Sequence, residues 1–166
     1  MSFPTDIPEA DPGTYRFRSE VEQAGPAIFT APGHLVGGGY GLFETSAQPG
    51  RWGAIPHFHT GFTEAFWVIS GRLAVMSGRE WGVLGEGDFA HVPVNGVHGF
   101  HALGDEPARF LILFVPGAPR EHYFRGLVDL FTRGASTEEI DAFALGCDQV
   151  NLRDWEHDPI PSLPRA

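Results

Sequence analysis

The most constraining feature of this chain is its punctuation. Between Ala27 and Val115, glycine and proline breaks cut it into short apolar pieces. The pieces are Ala27–Thr30, His34–Val36, Gly39–Ser46, Ile55–His59, Glu64–Ser70, Leu73–Ser77, Trp81–Leu84, Asp88–Val92, Val97–Ala102 and Arg109–Val115. The breaks fall at Pro32–Gly33, Gly37–Gly38, Pro49–Gly50, Gly61, Gly71, Gly78, Gly85–Gly87, Asn95–Gly96 and Gly104–Pro107. Short strands with a turn at each break predict an all-β sandwich or barrel. Proline and glycine stand mostly at the ends of these pieces, where a strand tolerates them.

The texture changes at both ends. Residues 1–26, rich in proline and acidic side chains, are expected to form an N-terminal arm, and the barrel is expected over 27–118. After Pro116–Pro119 the apolar residues Tyr123, Phe124, Leu127, Val128, Leu130 and Phe131 follow helical spacing, which predicts a helix over Arg120–Arg133. Ser136 and Glu139 form a capping box that starts a second helix running to about Leu145. This helical extension, 119–146, is expected to pack on the barrel by plain core contact, with 147–166 as a tail.

The net charge of −10 argues against nucleic acid and anionic membrane as partners, since both would be repelled. No apolar run is long enough for a membrane span. The single cysteine, Cys147, excludes an internal disulfide and reads as a small apolar residue. These observations lead to the expectation of a cytoplasmic protein.

The chemistry is concentrated in four residues. In His57-Phe58-His59 alternate side chains share a strand face, so both imidazoles point one way. Glu64 opens the next piece, and His98 lies later in Val97-His98-Gly99-Phe100. Any one of these histidines alone reads as a hydrogen-bonded structural residue. Closed into one barrel, all three and the carboxylate can converge. Burying them with no shared partner is costly, and a metal ion satisfies them together. Nitrogen and oxygen donors without thiolate suit one divalent ion of Fe, Mn, Ni, Cu or Zn.

Residues 57–71 read H-F-H-T-G-F-T-E-A-F-W-V-I-S-G, which matches the cupin first motif, H-x-H-x(3,4)-E-x(6)-G. The glycine expected six places before the first histidine is displaced by one, to Gly50. Residues 87–102 resemble the second motif, G-x(5)-P-x-G-x(2)-H-x(3)-N, at Gly87, Pro93 and His98. Asn95 replaces its glycine and Ala102 its asparagine. Asparagine tolerates the left-handed backbone of a glycine, so the turn is expected to survive.

The chain therefore resembles the cupin superfamily over about residues 39–116. It is similar to small single-domain bacterial cupins of the quercetin dioxygenase-like type. The resemblance implies a double-stranded β-helix (jelly-roll) barrel with a short helical C-terminal extension. It also implies a homodimer and a small-molecule substrate, with O₂ as co-substrate in a dioxygenase. Glu64 would then act as both ligand and base. Because cupins host many chemistries, three functions stay open: a dioxygenase for an aromatic or enol-type substrate, a non-oxidative Lewis-acid enzyme (polyketide cyclase, isomerase or lyase), or a non-catalytic small-ligand binder.

Around the metal ligands, Phe66, Val68 and Phe100 share faces with them and are the expected lining of an apolar substrate pocket. His91 alternates with Phe89 and Pro93, and strand parity leaves open whether it faces the cavity as a supporting base. His101 is expected to point away. His34, His122 and His157 read as surface or packing residues, Glu44 as a solvated strand-end carboxylate, and Trp67 as an outward residue at a subunit contact.

Overall fold

The structure is a computed structural model that describes residues 13–163. Among the described residues, eleven strands form two antiparallel sheets. Seven of the strands lie in the order of the punctuated pieces: β3 (Gly41–Ala47), β4 (Trp52–Phe58), β5 (Thr63–Ser70), β6 (Arg72–Ser77), β7 (Glu80–Leu84), β8 (Phe89–Val92) and β9 (His98–Leu103). They are preceded by β1 (Gln23–Ala24) and β2 (Ala27–Ala31), and β10 (Ala108–Val115) follows. Two helices, α1 (Arg120–Thr132) and α2 (Thr137–Gly146), lead into β11 (Val150–Asn151). One sheet has the order β1-β2-β3-β10-β5-β8 and the other β11-β4-β9-β6-β7. This is the all-β cupin architecture, with a helical extension at its C-terminal side.

Alternation drives the closure. In β10, Ala108, Phe110, Ile112 and Phe114 are buried, while Arg109 and Val115 between and after them are exposed. Phe43 on β3, Phe66 and Val68 on β5, Leu73 on β6 and Phe100 on β9 complete the core. Phe100 meets Phe66 and Phe110 edge-on at 5.7 and 5.2 Å, so side chains from both sheets interlock. Burial of each such side chain contributes roughly 1.5–3 kcal/mol.

Two turn residues tie this packing to the motifs. Gly71 has φ +81°, and a Cβ there would stand 2.6 Å from the Pro107 carbonyl oxygen. The last glycine of the first motif is thus required by a close backbone approach. Asn95 has φ 64°, the left-handed conformation expected of the residue that replaces a glycine. Its backbone N–H donates to the His59 carbonyl at 2.8 Å, which links the second motif to the first.

Three sequence expectations are corrected. His34–Val36 is not a strand: Gly33–Val36 is a single 3-10 turn that ends on Gly37 at φ 62°. A three-residue apolar piece between two glycine breaks carries too little periodicity to separate the two. Gln23 and Ala24, placed in the arm by sequence, pair with Ile28 and Ala27. The segment after α2, expected as a tail, returns to the barrel. There Val150 and Asn151 pair with Phe58 and His57, and the Trp155 indole donates to the Gly78 carbonyl at 2.9 Å. Residues 1–12 of the expected N-terminal arm and the last three residues lie outside the described residues.

The helices follow their signals. Ser136 accepts from the Glu139 N–H, and Glu139 accepts from the Ser136 N–H, closing the capping box. The apolar stripe of α1 is only partly covered: Tyr123 and Leu130 are buried, whereas Val128 and Phe131 are exposed. Glu44 is not a free carboxylate, because Arg109 and Arg18 donate to it at 2.7 and 2.9 Å. Among the described residues no helix is long and apolar enough to cross a membrane.

Candidate metal centre

His57 on β4 and His98 on β9 are register partners in one sheet. Glu64 comes from β5 in the other sheet, and His59 lies one residue past the end of β4. Closing the two sheets brings the four side chains together, all buried, with one ligand atom from each lying within 4.8 Å of the others. The imidazole ring centres of His57 and His98 are 4.1 Å apart.

Each imidazole is oriented by a backbone carbonyl. Nδ1 lies 2.7 Å from the Ile55 oxygen in His57, 2.5 Å from the Asp148 oxygen in His59, and 2.9 Å from the Gly96 oxygen in His98. A carbonyl can only accept, so each Nδ1 carries a proton and each ring turns its Nε2 away from that carbonyl. The Nε2 atoms of His59 and His98 stand 3.0 and 3.2 Å from the same Glu64 oxygen, Oε2. Lone pairs facing a carboxylate at that range repel unless a cation, a proton or a metal ion, is shared among them. The donor set therefore fits a divalent transition metal, and the carbonyl-bound Nδ1 atoms are the usual support of metal-binding histidines.

Burial, and next the neighbouring His98, push His57 well below the usual histidine range, so it is neutral and available as a ligand. Burial alone would raise Glu64, but the contacts from His59 and His98 outweigh it and hold the carboxyl well below its usual range.

The wider surroundings sort the remaining candidates. Phe66 lies 6.3 Å from His98 and packs against Phe100, while Val68 is fully buried in the same core. These three residues, expected to line a pocket, fill the barrel beside the cluster. His91 is corrected: it is exposed and pairs with Ala65, one residue out of phase with the inward pair Glu64 and Val92. Its parity sends it to the outer face, with Trp67, which is 52% exposed. His101 meets Trp52 at the outside of β9, with ring centres 6.2 Å apart.

Sequence reasoning missed the second layer. Asp148, in a left-handed conformation at φ 55°, clamps the turn that carries His59. Its carboxylate accepts from the Thr60 N–H at 3.0 Å, the Thr60 hydroxyl at 2.6 Å and the Gly61 N–H at 2.7 Å. Phe62 stacks on the His59 ring, 4.3 Å between centres. Arg120, at the start of α1, is only 3% exposed and lies over the Phe62 and Tyr123 rings. No spacing rule would have found Asp148 and Arg120, because each reaches the site from a segment far from the motif.

The cupin domain family profile matches residues 43–115, the span from β3 to β10. Over 75 residues the chain is 33% identical to quercetin 2,3-dioxygenase of Bacillus subtilis, which covers 45% of this chain and 22% of that protein. The chain thus spans about a fifth of that relative's length. The structure of KdgF from a Halomonas species is similar at TM-score 0.53 and 20% identity, covering 63% of this chain and 94% of that one. Streptomyces PAC13, solved as a Y89F variant with uridine, is similar at TM-score 0.54 and 16% identity, covering 66% and 88%. At these identities the two structures speak for the fold alone. Both motifs, the two-sheet barrel and the profile match converge on one conclusion: residues 43–115 form a cupin domain.

Proposed function

We propose that this chain is a metal-dependent enzyme of the dioxygenase type, acting on an aromatic or enol-type small molecule. His57, His59, Glu64 and His98 would hold one divalent transition ion. The observation that carries the metal reading is the set of three imidazoles, each with Nδ1 on a backbone carbonyl, gathered around one buried carboxylate. The dioxygenase reading is supported by the similarity to quercetin 2,3-dioxygenase.

When bound, a divalent transition metal lowers the pKa of an enol or phenol and, if redox-active, couples the substrate to O₂. The protein supplies the rest. Glu64 is the one carboxylate of the cluster and the candidate acceptor for the substrate's acidic proton. Phe62 and Phe66 flank His59 and His98 with apolar surface, which keeps water from a reactive species. The non-oxidative alternative uses the same four residues, but His91, on the outer face, cannot move its proton. A homodimer and a cytoplasmic location belong to the same proposal, and light scattering in solution checks the first.

The test is elemental analysis of protein purified without added metal or affinity resin, paired with oxygen-electrode traces on flavonol and enol substrates. Near-stoichiometric Fe, Mn, Ni or Cu with substrate-dependent O₂ uptake is the expected result. Stoichiometric Zn with no uptake overturns the dioxygenase in favour of a cyclase, isomerase or lyase. A filled metal site with no turnover of any substrate class favours the ligand binder.

A further inference from the structure

Among the described residues Arg120 is a buried cation with no carboxylate within ion-pair distance. Its two terminal nitrogens donate to the Cys147 carbonyl at 3.0 Å and the Gln149 side-chain oxygen at 2.8 Å. Its Nε–H is buried with no acceptor among the described residues. The adjacent Glu121 is turned to His34, at 3.1 Å, and Asp148 is committed to Thr60 and Gly61. A guanidinium stays charged even when buried, and a buried charge is costly unless countered.

The position of that charge is informative. The guanidinium carbon lies 3.8 Å from the Tyr123 ring centre and 5.5 Å from that of Phe62, which stacks on His59. Tyr123 and Gln149 also wall a groove of about 390 Å³ between the two helices and the β4–β11 edge. Arg120 thus stands one side-chain layer from the groove and one ring from a candidate ligand. Three neutral imidazoles, one carboxylate, a divalent ion and Arg120 together leave an excess of positive charge in a dry region.

We propose that Arg120 binds the anionic oxygen of a small ligand of the metal centre, so that the site selects carboxylates, phenolates or enolates over neutral analogues of the same shape. This inference rests on the metal centre proposed above. Arg120 is the group that holds the anion, and Gln149 and the Cys147 carbonyl aim it.

The test loads the full-length protein with cobalt(II) and follows its visible absorption during titration with benzoate and, separately, with neutral benzamide. The quantity read is the ratio of the two affinities. Arg120→Gln is expected to lower that ratio by about tenfold or more, the worth of one charge-assisted contact. Arg120→Lys keeps the charge and retains most of the preference. Gln149→Glu leaves Arg120 in place but gives it an internal counter-ion, so it is expected to lower the ratio as well, and it serves where Arg120→Gln does not fold. A merely structural role for Arg120 would change cobalt affinity and leave the ratio alone. An unchanged ratio in cobalt-loaded Arg120→Gln or Gln149→Glu overturns the assignment of Arg120. A wild-type protein that takes up no cobalt overturns the metal centre itself.

Discussion

His57 and His98 are held differently from His59. In the first two, Nδ1 bonds the carbonyl two residues earlier, Ile55 and Gly96, so the local segment that carries the candidate ligand also aims it. His59 bonds the carbonyl of Asp148, which lies 89 residues away and beyond both helices. Two candidate ligands are thus oriented by their own local backbone. The third depends on α1, α2 and β11 returning the chain to the barrel edge. The first motif is only part of the arrangement, and the segment after the helices reaches the candidate site as well as the barrel edge.

Substitutions can separate these two modes. The largest effect is expected for His57→Ala or His98→Ala, which should leave little metal by elemental analysis, since each removes a ligand outright. Metal content unchanged in either variant would sink the ligand assignment. Asp148→Ala comes next. It deletes the clamp on Thr60 and Gly61 and strains a left-handed backbone. Metal affinity should fall by about 10–100-fold in a competition titration with a chelator, the usual cost of losing an outer-shell partner. Asp148→Asn tolerates the same φ and keeps an oxygen acceptor, so its loss should be smaller. Equal affinities in wild type and Asp148→Ala would show that His59 needs no help from the extension.

Ser136→Ala probes the extension more gently. Loss of the α2 cap should cost about 1 kcal/mol in urea unfolding. Amide exchange should speed up in α2 and at the His59 turn, while β9 around His98 stays protected. The smallest effect is expected at Glu44, far from the metal centre. The Arg109 contact, together with that of Arg18, depresses its carboxyl against the opposing effect of burial. The unfolded chain then binds more protons near pH 4.5, so this contribution is present above that pH and lost as pH falls below it. Glu44→Gln should remove about 0.5–1 kcal/mol at pH 7 and almost nothing near pH 3, as read by denaturation at the two pH values.

The legible and illegible parts of this protein divide along the same line. Strand limits from β3 to β10 followed from turn residues and alternation, because both act within a few positions of the chain. The capping box at Ser136 and Glu139 was readable for the same reason. The four clustered residues were readable because period-two spacing puts His57 and His59 on one face, and the motif carries the rest. His91 shows where this stops. Its alternation with Phe89 and Pro93 is clear, but only the pairing of Ala65 with His91 and of Glu64 with Val92 decides which face is inside.

By itself, then, the sequence determined the barrel, its turns and the candidate ligands, since these rest on local backbone preference and side-chain period. Only the tertiary structure decided that Asp148 aims His59, that Val150 and Asn151 close the edge of β4, and that Arg120 lies buried against Phe62 and Tyr123. Those contacts join segments far apart in the chain. A charged residue beginning an amphipathic helix looks like any solvated one until the fold supplies the aromatic walls that bury it.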